Sequence, residues 1–245
     1  MIKVNEVRKH FGVVKAVDGM NFTAHDSQIT TLLGGNGSGK TTTMRMISGL
    51  IVPGGGEVSV DAIDVRKQRS RALSRIGVLH DEFGLYPRLT VHEHIRYAGQ
   101  LHGLSGLKLA NAVDKAIAAL GIEDIRHRFA AGFSHGQRMK TALARAIVHQ
   151  PRNLILDEPA RGLDIFSVRL LRELLKRLRD EGVCILMSSH VMADVAELSD
   201  RTIVIDQGRV LAEGTPSEIV ALSGKNNLEE AFVFLVSRAS ERRAA

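Results

Sequence analysis

The spacing of apolar residues divides this chain into segments of different character. Residues 2–7 alternate apolar and polar side chains, and Gly12 and the Asp18-Gly19 pair interrupt the sequence after them, which predicts short antiparallel strands. Short runs rich in apolar and β-branched residues occur at residues 29–33, 76–79, 154–156 and 183–187. Runs this short are typical of strands buried on both faces, and we expect residues 76–79 to form a central strand of a sheet.

The middle of the chain follows a helical period. Apolar residues recur at helical spacing in residues 91–101, 107–120 and 139–148, with glycines between these segments. This pattern predicts a helical subdomain, at about residues 84–149. It would be inserted between two halves of an α/β core, at about residues 1–83 and 150–223.

The α/β pattern resumes after residue 150. Leucines at positions 170, 171, 174, 175 and 178 predict a helix whose apolar stripe packs on the sheet, while Arg172 and its basic neighbours face water. In the tail, residues 224–245, we expect a short helix over residues 228–237 and then disordered polar residues.

The composition fits a globular protein without a membrane span. The chain has 245 residues, of which 44% are hydrophobic, and no apolar run approaches the ~20 residues needed to cross a bilayer. The N-terminal residues lack the features of a secretion signal, so we expect the protein to stay in the cytoplasm. The single cysteine, Cys184, falls in an apolar run and is expected to be a buried core residue.

The net charge does not identify a partner. A formal charge of +6 suits an anionic small molecule, a nucleic acid or an anionic membrane surface. The arginines are scattered among acidic residues in helical patterns, and the sequence has neither a recognition helix nor an aromatic platform. We therefore expect no nucleic-acid partner.

A glycine-rich segment between an apolar run and a helical pattern carries the strongest chemical signal. It matches Gly-x-x-x-x-Gly-Lys-Thr, in which glycines let backbone N–H groups surround phosphate oxygens at the N-terminus of a helix. In this pattern Lys40 contacts the β- and γ-phosphates of a nucleoside triphosphate, and the Thr41 hydroxyl is a ligand of Mg²⁺. The predicted nucleotide-binding residues are Gly34, Gly35, Asn36, Gly37, Ser38, Gly39, Lys40, Thr41 and Thr42.

Polar residues at the ends of two apolar runs complete a site for phosphoryl transfer to water. Asp157 and Glu158 follow residues 154–156, and His190 follows residues 183–187 after two serines. Ligands bind where the C-terminal ends of parallel strands meet. We expect Asp157 to hold Mg²⁺, Glu158 to act as general base and His190 to donate a hydrogen bond to the γ-phosphate.

Phe11 has two possible roles on the residues alone. It stands just before Gly12, where an aromatic side chain can pack into the core or stack on a nucleotide base.

The order of these motifs resembles the nucleotide-binding subunits of ABC (ATP-binding cassette) transporters, over about residues 2–219. Residues 133–138, Phe-Ser-His-Gly-Gln-Arg, stand where that family has the signature written LSGGQ. Residues 159–164 stand where it has its D-loop, and His190 stands where it has its switch histidine. The resemblance implies a P-loop NTPase (RecA-like) α/β core with an antiparallel β subdomain and an inserted α-helical subdomain.

The resemblance also implies an ATPase that works as a head-to-tail homodimer around two ATP molecules with Mg²⁺. Phosphates held by one subunit would be covered by Ser134, Gly136 and Gln137 of the other, and Asp164 would contact nucleotide across the same interface. The family places an aromatic residue at the position of Phe11, which favours adenine stacking there.

Two positions depart from the family pattern. Asp81 stands where the family has a glutamine that touches Mg²⁺, and a carboxylate can still bind the metal, so Asp81 joins Thr41 and Asp157 as a predicted metal residue. In the signature, His135 replaces a glycine and Phe133 replaces a leucine, which puts a bulky titratable ring at the expected dimer face. We expect ATP hydrolysis to survive these changes.

Within the family, residues 84–90, the signature and residues 227–232 are similar to subunits that drive small bacterial exporters, the sodium-efflux type being the nearest. This similarity implies an integral membrane permease as partner, a location at the cytoplasmic face of the membrane, and sodium or a drug-like small solute as cargo.

The alternative is a non-transport cassette that acts on nucleic acid or the ribosome. Such proteins need a long coiled-coil insertion or a second cassette, and this chain has neither. A small-molecule kinase would have no use for residues 133–137.

Overall fold

Strands and helices alternate along most of the chain. The computed structural model describes the backbone of residues 1–244 and the side chains of residues 1–242. Its strands are β1 (Ile2–Phe11), β2 (Val14–Ala24), β3 (Gln28–Leu33), β4 (Gly55–Val60), β5 (Ile63–Asp64), β6 (Ile76–Leu79), β7 (Asn153–Leu156), β8 (Cys184–Ser189), β9 (Arg201–Asp206) and β10 (Arg209–Gly214). Its helices are α1 (Lys40–Ile47), α2 (Arg69–Leu73), α3 (Val91–Leu101), α4 (Gly106–Ala119), α5 (His135–Ile147), α6 (Ile165–Asp180), α7 (Met192–Leu198), α8 (Pro216–Ser223) and α9 (Leu228–Ala244).

A six-stranded sheet organises these elements, in the order β10-β9-β3-β8-β7-β6. Strands β9, β3, β8, β7 and β6 are parallel, and β10 pairs antiparallel with β9. Leu33 lies opposite Ser189, and Leu156 lies opposite Met187. This register brings the C-terminal ends of β3, β7 and β8 to one edge of the sheet, as the sequence predicts for the residues that follow them.

Each face of this sheet has its own core. Side chains alternate across the strands, so neighbouring residues such as Ile185 and Leu186 belong to different clusters. The cluster on one face joins the sheet to the antiparallel strands and α1, and the cluster on the other face joins it to α3, α4, α5 and α6. A fully buried leucine or isoleucine contributes about 1.5–3 kcal/mol, so these two layers fix how the strand ends are presented.

The prediction that residues 76–79 form a central strand is wrong, because β6 lies at the edge of the sheet. Its apolar character has a different cause. A Cβ added at Gly77 would come within 2.2 Å of the Ala146 carbonyl oxygen, and the His149 ring donates to the Ile76 carbonyl oxygen at 3.1 Å. Close packing by α5 therefore buries this edge strand.

The predicted antiparallel strands are present but longer than expected. A second sheet has the order β2-β1-β4-β5, and β1 and β2 have 10 and 11 residues. The Asp18-Gly19 pair does not end a strand but lies inside β2. Register shifts in β1 absorb the irregular residues, and Glu6 there has a φ of 48°. Local irregularities that suggest a turn can thus be bulges within a strand.

The three helices predicted for the middle of the chain are present as α3, α4 and α5. They share one core cluster with residues of β6, β7 and β8, including Leu79, Leu156 and Met187. The boundaries at 84 and 149 remain a prediction. No helix in residues 1–244 is long and apolar enough to cross a membrane.

Three expectations for single elements have mixed outcomes. Cys184 is buried as predicted, and burial raises the pKa of its thiol to about 11. Arg172 does not face water freely, since it pairs with the buried Asp194 at 2.6 Å and with Glu197. The tail helix does not end at residue 237, because α9 continues to Ala244, and residue 245 lies outside the described part of the chain.

Candidate functional site

The phosphate loop, residues 34–42, is the turn that connects β3 to α1. Gly39 caps α1 with a φ of 105°, and a Cβ there would lie 2.6 Å from the Ala16 carbonyl oxygen. A Cβ at Gly34 would lie 2.4 Å from the Ser38 hydroxyl oxygen and 2.6 Å from the Ile205 carbonyl oxygen. Glycine is required at these positions because strands β2 and β9 wall the loop.

The loop presents donors rather than acceptors to the cleft. The N–H groups of Lys40, Thr41 and Thr42 begin α1 and have no carbonyl partner within the helix. The buried Ser38 hydroxyl has no hydrogen-bond partner among the described residues. Orphan donors at the positive end of a helix form an anion site, which is the geometry the sequence predicts for a phosphate group.

Lys40 is the cation of this cleft. Its side chain is 7% exposed, and Nζ donates to the Gly34 and Gly35 carbonyl oxygens at 2.7 and 3.1 Å. Nζ also lies 3.6 Å from Oε1 of Glu158. The lysine charge is thus held between the phosphate loop and the acidic end of β7.

Asp157 and Glu158 occupy the end of β7 with different surroundings. Asp157 is 3% exposed, and its Oδ1 accepts a hydrogen bond from the Ser188 hydroxyl at 2.6 Å. The same serine oxygen accepts from the Glu158 N–H at 2.8 Å. Glu158 has a φ of 50°, a strained value for a residue with a side chain. Ser188 therefore ties the Asp157 carboxylate to the backbone of Glu158.

Glu158 and His190 contact each other directly. Nδ1 of His190 lies 2.8 Å from Oε2 of Glu158. With an ionised carboxylate as acceptor, Nδ1 is the donor, and Nε2 is left for another partner. The strand ends thus bring the predicted base and the predicted γ-phosphate sensor into one pair, while the predicted roles of both side chains remain predictions.

The residues present fit a Mg²⁺ ion. Oδ2 of Asp157 is a buried carboxylate oxygen with no hydrogen-bond partner in the described structure, and hard oxygen ligands are what Mg²⁺ prefers. Thr41 and Asp81 line the cleft, whereas Asp157 is not among its lining residues and lies next to the lining residue Glu158. Asp81 lies 3.5 Å from Arg45 of α1, so part of its charge is already balanced. Its role as a ligand stays a prediction.

The cleft has a volume of about 1060 Å³ and brings together residues from both sheets. Val13 and the first two residues of β2, Val14 and Lys15, form one end of the cleft lining along the chain. Phe11 stands next to this end but does not line the cleft. Its side chain is 49% exposed and lies under Nζ of Lys9, 5.4 Å from the ring centroid, so it is not a core residue. Adenine stacking by Phe11 remains a prediction.

The signature loop, residues 133–138, lies at the start of α5. Phe133 is buried and anchors it. Ser134 and Gln137 form a capping box, in which the serine hydroxyl accepts from the Gln137 N–H at 3.2 Å and the Gln137 side chain accepts from the Ser134 N–H at 3.1 Å. The hydroxyl hydrogen of Ser134 stays available for a further acceptor.

The predicted contacts across the dimer do not line the cleft of their own chain. Ser134, Gly136, Gln137 and Asp164 are absent from its lining residues. Asp164 caps α6 by accepting from the Ser167 N–H at 2.9 Å and its hydroxyl at 2.8 Å, and these bonds lower the pKa of the Asp164 carboxyl. The structure therefore separates the predicted site into two groups of residues.

The site includes residues that the sequence analysis did not assign to it, among them Ser188 and Arg161. Ser188 bridges the Asp157 carboxylate and the backbone N–H of Glu158, and Arg161 lines the cleft three residues after Glu158. The serine had a usable signal, because it ends the same strand that delivers His190. Nothing in the local sequence distinguishes Arg161 from the other scattered arginines.

Comparisons with known proteins agree with this geometry. A family model described as ABC transporter matches residues 17–161. The ABC transporter ATP-binding protein NatA of Bacillus subtilis (strain 168) is 38% identical over 222 residues, which is 90% of each chain. A solved ATP binding subunit of an ABC transporter has a TM-score of 0.89 at 27% identity, covering 96% of this chain and 99% of that one. The dimeric structure of MJ0796, a bacterial ABC transporter cassette, has a TM-score of 0.80 at 25% identity, covering 88% and 98%.

These matches and the site lead to one conclusion. The matched region contains the phosphate loop, the β7 carboxylates and the signature loop, and the fold is the predicted α/β P-loop core with an antiparallel β sheet. The similarity to NatA extends over almost the whole of both chains, which a shared phosphate loop alone would not give. The chain belongs to the ABC transporter family, as an ATP-binding subunit that hydrolyses ATP.

Proposed function

We propose that two copies of this chain pair head to tail around two molecules of Mg²⁺-ATP and drive a separate membrane permease from its cytoplasmic face. One observation carries the proposal. The phosphate loop and the base lie in one cleft, whereas the residues of the signature loop are absent from the lining of that cleft, and Ser134 and His135 at the start of α5 are exposed. A second copy of this chain would place its signature loop at this cleft, and its own cleft would receive the signature loop of this chain.

The exposed surface beside the signature loop supports pairing. Ile165 and Phe166 follow Asp164 at the start of α6, and each is 85% exposed. Large apolar residues this exposed and adjacent are typical of an interface. The solved dimeric cassette has the same fold over 88% of this chain.

Each group of cleft residues has its own role in ATP hydrolysis. The loop N–H groups and Lys40 hold the phosphates and stabilise the negative charge on the transferred group. Glu158 accepts a proton from the attacking water, as the bond between the γ-phosphorus and the bridging oxygen breaks and ADP leaves. His190, held by Glu158, donates to a γ-phosphate oxygen. Mg²⁺ held by Thr41 and Asp157, with Asp81 beside them, would neutralise charge on the phosphates.

A groove between β6, α3 and α5 supports a permease partner. Four exposed apolar residues lie along it, namely Leu50, Tyr86, Tyr97 and Leu101. Arg145 lines it, donates to the Phe83 and Gly84 carbonyl oxygens at 2.6 and 3.0 Å, and has no carboxylate partner among the side chains that the structure describes. Among the described residues that line the groove none is acidic. An apolar permease segment that carries a carboxylate is the partner that fits.

The nature of the cargo rests on the sequence. The relation to NatA and the motifs at residues 84–90 and 227–232 favour a small exporter, with sodium or a drug-like small solute as cargo.

A subunit-mixing experiment tests the dimer. Lys40→Ala disables the phosphate loop of its own chain and Ser134→Ala disables the signature loop, so each variant alone has no complete site. In a mixed dimer, the intact phosphate loop of one chain meets the intact signature loop of the other. We expect a 1:1 mixture to recover up to about a quarter of the parent ATPase rate, because half the dimers have one intact site of two.

The matched control places both substitutions on one chain and mixes it with the parent. Those mixed dimers contain no intact site, so the control should add nothing to the activity of the parent homodimers. If the mixture of single variants stays inactive while Glu158→Gln remains monomeric with Mg²⁺-ATP, the dimer is wrong.

The permease partner is tested by co-purification from detergent-solubilised membranes. We expect a polytopic membrane protein to be recovered with the parent chain and lost with Leu101→Glu, which adds a charge at the groove. Leu107→Glu, an equally exposed leucine on α4 outside the groove, is the control. Recovery with ribosomes or DNA instead would contradict a transport role.

A further inference from the structure

His135 contacts three segments that each carry residues of the site. It is the first residue of α5, directly after the capping Ser134. Its Nε2 lies 2.8 Å from the Arg161 carbonyl oxygen, and its ring packs on Phe83 with the centroids 5.3 Å apart. A carbonyl oxygen only accepts, so Nε2 is the donor.

The acceptor lies in the short turn that joins the base to the dimer face. The Arg161 N–H donates to the Glu158 carbonyl oxygen at 3.1 Å, and Asp164 caps α6 three residues later. A bond to the Arg161 carbonyl therefore restrains the backbone between Glu158 and Asp164. The ring also lies against Gly162, where φ is +70° and a Cβ would be 3.3 Å from Nε2.

The third contact extends to the segment that carries Asp81. Phe83 is held by Arg145, which donates to its carbonyl oxygen at 2.6 Å. The His135 ring fills the space between Phe83 and the Arg161 turn. The His135 imidazole, which belongs to the signature loop, therefore contacts both the Phe83 segment and the Arg161 turn.

We propose that His135 is a positioning residue that couples the signature loop of this chain to its own Glu158 by the hydrogen bond from Nε2 to the Arg161 carbonyl. This rests on the proposed dimer, in which the signature loop contacts the partner's ATP. Nucleotide bound by the partner then sets the position of α5, and His135 transmits that position to the Glu158 turn. A glycine at this position, as the signature pattern has, cannot make this contact.

Three substitutions separate the parts of the contact. His135→Gln keeps a side-chain N–H donor, His135→Phe keeps a ring against Phe83 without a donor, and His135→Gly removes both. His127→Phe is the matched control, since His127 lies in the turn segment between α4 and α5 and contacts His92 rather than the cleft or the signature loop.

We expect His135→Phe and His135→Gly to lower kcat about 3- to 10-fold with KM for ATP changed less than about 2-fold, because residues that couple two sites modulate function without making either site themselves. His135→Gln should keep kcat within about 2-fold of the parent. Equal kcat for the Phe variant and the parent, or a Gln variant as slow as the Phe variant, would overturn the proposal.

The mixed dimers test whether His135 acts on the Glu158 of its own chain or on the site of the partner chain. In the mixture of Lys40→Ala with Ser134→Ala chains, the working Glu158 belongs to the Ser134→Ala chain. Adding His135→Phe to that chain should slow the restored activity less than it slows the parent dimer, because the signature loop of that chain faces the disabled phosphate loop of its partner. An effect seen only on the chain that supplies the signature loop would make His135 a surface residue of the interface and overturn the coupling.

The hydrogen bond itself is tested without a dimer. Nitrogen-15 NMR of histidine in the monomeric protein without nucleotide should show His135 with its proton on Nε2, and Gly162→Ala should alter that signal. If the mixed dimers recover no activity, the proposed dimer fails, while the NMR signal and the Gln rescue of kcat still decide the positioning role. An Nδ1–H tautomer at His135 would reject it.

Discussion

The phosphate loop and the signature loop both begin a helix, but they are built in opposite ways. The phosphate loop is enclosed by its own chain, since a Cβ at Gly39 would collide with the Ala16 carbonyl oxygen and the Gly208 N–H donates to the Ser38 carbonyl oxygen at 2.9 Å. The signature loop is open. A Cβ at Gly136 would meet only the Ser167 hydroxyl, at an ordinary 3.6 Å, and Leu163.

The two helix caps show the same difference. Gly39 caps α1 without a side chain, which leaves the first N–H groups of that helix for a ligand, whereas Ser134 and Gln137 satisfy part of the first turn of α5 by themselves. A self-contained phosphate site and a signature loop that needs a partner are what a composite active site requires.

The largest expected effect is on the rate of ATP hydrolysis, and it tests the catalytic base that lies in the cleft with the phosphate loop. Glu158→Gln should lower kcat for ATP hydrolysis about 10²- to 10⁴-fold, because a glutamine cannot take the proton of the attacking water, while ATP still binds. Phosphate release and nucleotide binding measure the two properties separately. Glu173→Gln, on the exposed face of α6, is the control. Equal hydrolysis rates for Glu158→Gln and the parent would reject the role of the base.

Binding to the isolated chain should distinguish the two loops. Lys40→Ala should weaken Mg²⁺-ATP binding by about 10- to 100-fold, since a charge-assisted hydrogen bond to phosphate contributes about 1.5–3 kcal/mol. Ser134→Ala should leave binding to the monomer unchanged, because its hydroxyl does not reach its own cleft. Calorimetry on dilute protein measures both. A comparable loss of monomer affinity in Ser134→Ala would break the comparison.

Two glycine substitutions test how tightly each loop is enclosed, through their effect on the free energy of unfolding. Gly39→Ala places a side chain at a φ of 105° and against the Ala16 carbonyl, and should lower the free energy of unfolding by about 1–3 kcal/mol. Gly136→Ala has room, and alanine suits the first turn of a helix, so its stability should change by less than about 0.5 kcal/mol. Urea denaturation measures both. Equal losses would show that the signature loop is as tightly enclosed as the phosphate loop.

The smallest expected effect is a change of the free energy of unfolding with pH, caused by His149 just beyond the C-terminus of α5. His149 stacks on His102 with ring centroids 3.5 Å apart, and burial lowers the pKa of His149 to about 4. A depressed folded-state pKa means that the neutral ring stabilises the fold above its unfolded pKa of about 6.5, and that this stability is lost as pH falls toward 4. From pH 7 to pH 5 the loss should be about 1–2 kcal/mol.

His149→Phe should remove this part of the pH dependence and keep a ring on His102. Unfolding free energies at pH 7 and pH 5 measure it, with His25→Phe as an exposed control. Because His149 lines the groove and not the cleft, Mg²⁺-ATP affinity of the monomer should respond to His149→Phe no more than to the control. An unchanged pH slope in His149→Phe would mean that other histidines with lowered pKa values, such as His80 and His94, account for it.

The sequence predicted those site residues whose positions are determined by the residues next to them along the chain. A glycine spacing fixes a phosphate loop because a strand, a turn and a helix follow one another directly, and carboxylates at the end of an apolar run fix the tip of a strand. Helix periods located α3 and α4 within one residue of their bounds in the structure. The start of α5 was placed four residues late by apolar spacing alone, because its first turn is polar and is capped by Ser134.

Only the tertiary structure decided the relations between distant segments. Strand order put β6 at the edge of the sheet, although its composition is that of a central strand, because a packed helix buries an edge as well as a neighbouring strand does. The bond from His135 to Arg161, the Ser188 bridge and the pairing of Arg172 with Asp194 join residues 22 to 31 positions apart. No local pattern encodes such contacts, since they form only when the sheet register and the helix packing bring the segments together.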